Sequence, residues 1–505
     1  MLFFVTAGFT AVLYSNVPKD FLPPGDTGQL IAFTEGGQDT SFAAMAARQI
    51  EVAEIISRDP DIVAVNSSVG AGGPRATSNS GTLFLRLKPR AERTSKPAEI
   101  VARLRGKVAA VPGIRVSIQN PPPIRIGGQL TNAQYQYTLQ GSDLDELYAW
   151  SNQFLARFRR IEGLQDVTSN LFNNSPTATL DIDRDKLPQL GLTVSQVQDA
   201  LTSSFSTRQV STIYGSTNQY QVIMEVAPEF QNDPTALSKI YVRSSQGKLI
   251  PLDSVARVTR KNQALTINHQ GQLPSVTISF NLSQGVALGD AVDRVRVVER
   301  ELAMPVSLNG SFQGTAQAFQ DSLKGMGILL IVAVLVIYIV LGILYESFIH
   351  PLTILSGLPS AGLGALLTLY LFNIDLSLYA FVGIIMLIGI VKKNAIMMID
   401  FAIEKERADG TSAEQAIFEA SLIRFRPIMM TTMAALAGTL PIAIGHGAGA
   451  ERVPLGMAVV GGLIVSQFLT LYLTPVIYVY MDRLTKRLSG KKSTPVAPVA
   501  ETAVA

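Results

Sequence analysis

The stretch L378-YAFVGIIMLIGIVKKNAIMMID-F401 decides how the rest of the chain is read. It is apolar and long enough to cross a bilayer as a helix, for which roughly 20 residues suffice. Near its middle it carries Lys392, Lys393 and Asn394. A charge at that depth costs about 2.5–3.5 kcal/mol on insertion scales, so such residues face a protein interior and a partner. The helical repeat sets Lys393 on one face with Gly389 and Asp400, while Lys392 sits about 100° away. The two lysines therefore cannot share one environment. Snorkelling to the interface is the plain alternative, and the flanking apolar runs oppose it for Lys393. Asp400 lies about 10 Å along the axis from Lys393 and reads as a structural group near the far end of the helix.

The 505 residues exceed one ordinary domain, and 47 % hydrophobic with 16 % charged residues describes a membrane protein with a sizeable aqueous part. The formal net charge of +3 carries no nucleic-acid signal. With no cysteine, disulfides, thiolate metal sites and cysteine nucleophiles are excluded. The three histidines, His269, His350 and His446, are far apart, so neither a metal site, a cofactor nor an enzymatic triad is expected.

Five further apolar features frame the central stretch. The opening MLFFVTAGFTAVLYSNVP has no basic prefix and no cleavage site, so 1–17 is expected to be the outer end of a transmembrane helix that starts before the chain does. After Gly325 come spans at Met326–Leu344, Leu352–Phe372, Leu378–Ala402, Pro427–Ile444 and Leu455–Tyr480. Lys405, Arg407, Arg424 and Arg426 fall in one connection and Arg483, Lys486, Arg487, Lys491 and Lys492 in the tail, which puts both in the cytoplasm. Thr411 and Glu414 fit a capping box opening a short interfacial helix, 411–423. The tail 485–505 is expected to be disordered. Pro359 with Gly362 and Gly364 reads as a kink with close helix packing.

Between these spans lies soluble α/β material. Strand, helix, strand, strand, helix and strand patterns follow one another over 18–131, the split βαβ order of a ferredoxin-like unit. The order restarts over 132–183, with strands near Leu164–Thr168 and Ala178–Ile182, and resumes over 271–320, where its last strand is placed at Pro305–Leu308. The residues between, 184–270, read as an insertion with a helix at Val194–Ser203 and a hairpin around Tyr214–Met224. Ser67–Gly81 is turn-rich and is no phosphate loop, since it lacks a Gly-Lys-Ser/Thr ending. The fold class is α+β: a bundle of five helices in 321–484 plus the partial first one, with a large periplasmic region.

The segments Leu344–Leu367, Ile388–Ala402 (IGIVKKNAIMMIDFA), Leu422–Leu436 (LIRFRPIMMTTMAAL) and Pro454–Tyr478, with FLPPGDTGQL at Phe21–Leu30, resemble the resistance–nodulation–division (RND) drug-efflux permeases, and among them the MdtB/MdtC kind of subunit. The resemblance covers everything but the tail, and it matches the second of the two halves of such a protein. It implies two porter subdomains with an inserted docking subdomain. It further implies a homo- or hetero-trimer that works with a missing N-terminal half, a periplasmic adaptor and an outer-membrane channel. Its tenth helix would be Leu378–Ala402, whose Lys393 pairs with aspartates on the fourth helix of the other half. By the same resemblance Asn394, Arg424 and Thr431 complete a proton relay, and the substrate site would include Val63, Ser68 and Gly70. Drug pumps carry a phenylalanine cluster at those three positions, so the substrate range departs from theirs. The implied function is proton-driven export of drugs or amphiphilic small molecules. The rival expectations are a transport-inactive subunit of a mixed pump and a non-transporting scaffold.

Overall fold

The computed structural model describes residues 1–488 apart from 24, 71–76, 123, 125, 130, 232–237 and 446. The tail beyond Leu488, the centre of the Ser67–Gly81 loop and His446 lie outside the described residues.

An apolar helix opens the chain, α1 (Leu2–Asn16). The first soluble unit follows as β1 (Gln29–Gly36), α2 (Phe42–Ser57), β2 (Ile62–Val69), β3 (Ser80–Leu87), α3 (Pro97–Val108) and β4 (Ile114–Gln119). Its sheet order is β2-β3-β1-β4, with β3 antiparallel to both neighbours on the β1 and β2 sides. Period-two alternation turns Leu83, Leu85 and Leu87 of β3 to one face. There they meet Val52 and Ile56 of α2 and Ile100, Leu104 and Val108 of α3, each set spaced at helical intervals.

The second unit begins with β5 (Tyr135–Gly141), α4 (Leu144–Phe158) and β6 (Leu164–Ser169). The chain then passes through β7 (Ser175–Ile182), α5 (Lys186–Gln189), α6 (Val194–Phe205), β8 (Arg208–Tyr214), β9 (Gln219–Met224), α7 (Pro228–Gln231), β10 (Tyr241–Arg243), β11 (Leu249–Pro251) and β12 (Ala256–Gln263). It returns in β13 (His269–Gln270), β14 (Leu273–Leu282), α8 (Leu288–Leu302) and β15 (Leu308–Gln313). The sheet runs β13-β14-β5-β15, with β6 on the other edge of β14. Strands β5, β6, β14 and β15 with α4 and α8 make a second split βαβ unit.

Two expectations change here. The strand expected at Ala178–Ile182 belongs to β7, which pairs antiparallel with β12 rather than with the second unit's sheet. All but one of its residues are exposed or half-exposed, whereas β14 presents seven consecutive buried residues and takes the central position. The strand expected at Pro305–Leu308 starts at Leu308 and runs on to Gln313, in register with β5. By compactness one unit of the chain is Met1–Glu35, Phe42–Asn170 and the residues from Asn268 onward. The other is Gly36–Ser41 with Leu171–Ile267, which has its own small core of Leu187, Leu192, Val197, Val242, Leu252 and Val255.

The remaining helices are α9 (Thr315–Tyr345), α10 (Ile349–Leu355), α11 (Leu358–Leu371), α12 (Leu378–Asp409), α13 (Ala413–Ala443) and α14 (Val453–Leu488). Among the described residues four segments are long and apolar enough to cross a membrane: Thr315–Tyr345, Ile349–Leu371, Leu378–Asp409 and Gly449–Leu484. The fifth expected span, Pro427–Ile444, falls in α13, where Pro427, Thr431, Thr432, Thr439 and Pro441 dilute the apolar run. The expected interfacial helix is the start of this same α13. Its Ile417 and Ala420 are buried against Met398, Ile399 and Ala402 of α12, and Phe418 is exposed. The cap is Ser412, whose hydroxyl accepts from the Gln415 N–H, and not Thr411. Gly410 ends α12 at φ +63°, a conformation that costs a residue with a Cβ.

The expected kink is a break at Ser356–Gly357, just before Pro359. A Cβ on Gly364 would lie 2.7 Å from the Val465 Cβ and 2.8 Å from the Gly461 carbonyl oxygen, so glycine lets α11 and α14 touch. The α11–α12 connection is tied to the soluble side. Leu376 N–H donates to the Pro18 carbonyl at 2.8 Å, and Gly289 N–H of α8 donates to Lys19 at 2.9 Å. The α12–α13 connection is thus at the opposite end of the bundle.

Candidate functional site

Helix α12 has two faces. Gly383, Leu387, Val391, Ala395, Met398 and Ala402 are buried, while Val382, Met386, Gly389, Lys393 and Asp400 form an exposed stripe. Lys393 therefore points out of the bundle, and among the described residues it makes no hydrogen bond or ion pair. Lys392 points inward, 3 % exposed, and its ammonium donates to the Ile354 carbonyl at 2.6 Å. Ile354 is in the last turn of α10, where a helix end leaves carbonyls short of donors. The lysine thus supplies at the α10–α11 break a donor that the backbone lacks.

Asn394 is buried one residue further on. Its amide donates to Thr432 Oγ1 at 3.1 Å and to Gln467 Oε1 at 3.0 Å, and the Thr432 hydroxyl lies 2.8 Å from the same Gln467 oxygen. One polar junction thereby joins α12, α13 and α14. Every member has a partner, as a buried polar group requires.

The other two relay candidates stand apart from this junction. Thr431 is half-buried and donates only to the Ile428 carbonyl of its own helix, at 3.1 Å. Arg424 lays its guanidinium over the Phe401 ring, 4.9 Å from the centroid, and its Nε is buried without a hydrogen-bond partner. No hydrogen bond or ion pair among the described residues links Lys393, Arg424 and Thr431 to each other. Lys393 is exposed, and Arg424 and Thr431 are half-buried.

In the first soluble unit Val63 is exposed, and the Ser68 hydroxyl donates to the Thr82 carbonyl at 3.3 Å. Gly70 has φ +84°, and its N–H donates to Ser80 at 2.9 Å. A Cβ on Gly70 would come within 3.0 Å of the Phe42 ring, which is itself exposed. Phe84, on the outer face of the same sheet, is exposed as well. Two aromatic side chains thus stand near the positions where the sequence places none.

A profile of the AcrB/AcrD/AcrF family matches residues 1–482. The chain belongs to this family. It is thus an inner-membrane chain of the RND family, with a large strand-rich periplasmic region. It is 46 % identical over 497 residues to the multidrug resistance protein MdtC of Serratia proteamaculans, an alignment covering 98 % of this chain and 48 % of that protein. To MdtC of Yersinia pestis it is 47 % identical over 486 residues, 96 % of this chain and 47 % of the other. The chain thus spans about half the length of the curated relatives it matches. The fold is also that of a crystallised heavy metal efflux pump, at TM-score 0.84 and 22 % identity, over 95 % of this chain and 49 % of that one.

In this RND chain, reading the sequence misses Lys392, Thr432 and Gln467. The helical repeat separates the two lysines but cannot say which points inward. Thr432 is adjacent to Thr431, and only the packing of α14 against α13 selects it. Gln467 sits in an apolar run, and a polar residue there was the available signal.

Proposed function

We propose that the chain is the C-terminal half of a proton-driven RND efflux permease that exports drugs or other amphiphilic small molecules. In this reading a homo- or hetero-trimer works with a periplasmic adaptor and an outer-membrane channel. The observation that carries it is the exposed Lys393 on the outer stripe of α12. A lysine facing lipid there would cost several kcal/mol, so a second polypeptide segment with a carboxylate covers it. That segment is the half which relatives of twice this length contain. An ionised carboxylate beside Lys393 is held in place because losing either charge strands the other. Its protonation releases the lysine and gives two side-chain arrangements, a switch between two packings of the helices.

Arg424, laid over the Phe401 ring, shapes the field around the relay. Asn394 anchors the lysine's helix through the α12–α13–α14 junction. Thr431, at the bundle surface, offers a hydroxyl to the covering segment. Val63, Ser68 and Gly70, together with the exposed Phe42, line the periplasmic substrate site. The test is proton-coupled export by the complete protein in vesicles, at matched protein amounts. Lys393→Ala is expected to abolish export while leaving assembly intact. Unchanged export would remove the relay from this subunit.

A further inference from the structure

The two split βαβ units have separate cores and share a polar boundary. The first packs on Val52, Ile56, Leu83, Ile100 and Leu104. The second stacks Tyr137 on Phe154 and sets it against Phe158 and Phe312. Between them lies an open cleft of about 870 Å³, bordered by Val101 and Ile118 of the first and by Tyr135 and Gln284 of the second. A boundary of this kind yields to relative motion unless specific bonds hold it.

Those bonds come from α3, β6 and β14. On α3, Arg103 and Lys107 share one face and are committed to Asp59 of their own unit. Arg105, about 200° round the helix from Arg103, reaches the other unit instead. Its Nη1 donates to Gln165 Oε1 and its Nη2 to Asp166 Oδ2, at 2.7 Å each. Asn281 of β14 makes a second link. Its amide donates to Asp166 Oδ2 at 3.0 Å and to Ser117 Oγ of β4 at 3.4 Å, and its oxygen accepts from the Gln134 N–H at 2.9 Å.

The backbone under Asp166 departs from a plain strand. Thr168 lies opposite Ser279 and Gln165 opposite Asn281, so Asp166 and Val167 together oppose Phe280. That is a β-bulge, a device that re-aims a side chain. Asp166 also has φ +50°, a left-handed conformation for which glycine is the default residue. An aspartate held there, with its carboxylate bonded to Arg105 of the other unit, points to a use for the side chain.

We propose that Arg105 and Asp166 form a releasable latch that sets the separation of the two βαβ units, with Asn281 as its second point. The pair is suited to release. Its side chains are 35 % and 17 % exposed, so salt reaches them and the bond can open and remake. Asp166 is thus a positioning residue, acting through the distance between the units. Its use in export rests on the reading above, but its existence does not.

The experiment measures that distance by double electron–electron resonance in the complete protein in lipid nanodiscs, with the other cysteines replaced and labelled protein diluted in unlabelled. Spin labels go on exposed positions of α2 and α4, Glu51→Cys and Gln153→Cys, and a control pair within the first unit uses Glu51→Cys and Glu92→Cys. The otherwise unchanged protein is expected to give one narrow distance between the units at low salt and a broader distribution at molar salt. Arg105→Gln and Asp166→Gly should each broaden it at least twofold already at low salt and remove the salt dependence. Asp166→Gly also relieves the left-handed backbone, so its melting temperature should not fall, which separates a latch from a merely structural bond. Equal distributions in the unchanged protein and both variants overturn the proposal. Matching broadening of the control pair overturns it as well, because that would report a loosened unit. A protein that shows the latch but exports nothing keeps the inference and refutes the export reading, and one that exports without the latch does the reverse.

Discussion

Lys392 and Lys393 are adjacent in the chain and occupy different media. The inward lysine is bonded to Ile354 and the outward one is free among the described residues, so their removal should have opposite signatures. Lys392→Met takes a charge-assisted donor from the α10–α11 break, a loss of about 1.5–3 kcal/mol. It should lower the melting temperature and leave export per folded molecule near normal. Lys393→Ala should do the reverse. The two threonines of α13 allow the same contrast. Thr432→Ala removes a member of the buried junction with Asn394 and Gln467 and should cost about 1–3 kcal/mol. Thr431→Ala breaks one bond within its own helix and should be near neutral for stability, its effect falling on export alone. Equal melting shifts for the two threonine variants would show that the junction is not what holds the three helices. A charged pair in an apolar run announces that something is buried at this level of the sequence. Which lysine goes in is fixed by neighbours that lie 38 and more residues away in the chain, and so was not legible.

Helices α3 and α8 occur where their apolar spacing puts them, because each buries one stripe and shows its charges on the other side. Strands were less secure at their ends. β7 reads as a plausible member of the second sheet until its partner is known, and its partner β12 is some eighty residues on. Local pattern cannot select a partner at that range. The cap of α13 shows the same limit at short range, since Thr411, Ser412 and the acidic or amide residues after them admit two phasings of one motif. Ion pairs between elements are the level at which the first soluble unit can be tested. Asp59, 2 % exposed, takes two bonds from Arg103 of α3 at 2.9 and 2.7 Å and one from Lys107 at 3.3 Å, while Asp61 takes one from Arg103 at 2.7 Å. Burial pushes the Asp59 carboxyl up, but these donors outweigh it and hold it below the ordinary carboxylate range. A depressed carboxyl contributes stability that is complete above about pH 4 and is lost as pH falls through its folded value. Arg103→Met strands Asp59 and should cost about 1–3 kcal/mol at neutral pH, since the guanidinium is itself one-third exposed. It should also start the acid loss of structure at a higher pH, which circular dichroism during acid titration would register. An unchanged acid midpoint would mean that Lys107 alone suffices.

At the scale of the whole molecule, orientation in the membrane follows from two independent features. Lysines and arginines are concentrated in the helix ends flanking the α12–α13 connection and from the end of α14 onward. The α11–α12 connection, by contrast, is bonded to Pro18 and through it to the soluble units. The first feature is a bias of insertion and the second a bond in the folded protein, and they agree that the strand-rich region and the α12–α13 connection lie on opposite sides. This chain has no cysteine, so a single substitution introduces its one thiol, and the unsubstituted protein serves as the labelling control. Asn66→Cys places a thiol on an exposed position of β2, and Asp409→Cys places one at the exposed end of α12. In intact spheroplasts a membrane-impermeant maleimide is expected to label Asn66→Cys within minutes and to leave Asp409→Cys unlabelled. Permeabilising the membrane should bring Asp409→Cys to the same extent of labelling, which separates protection by the bilayer from protection by packing. Labelling of Asp409→Cys in intact cells would invert the topology.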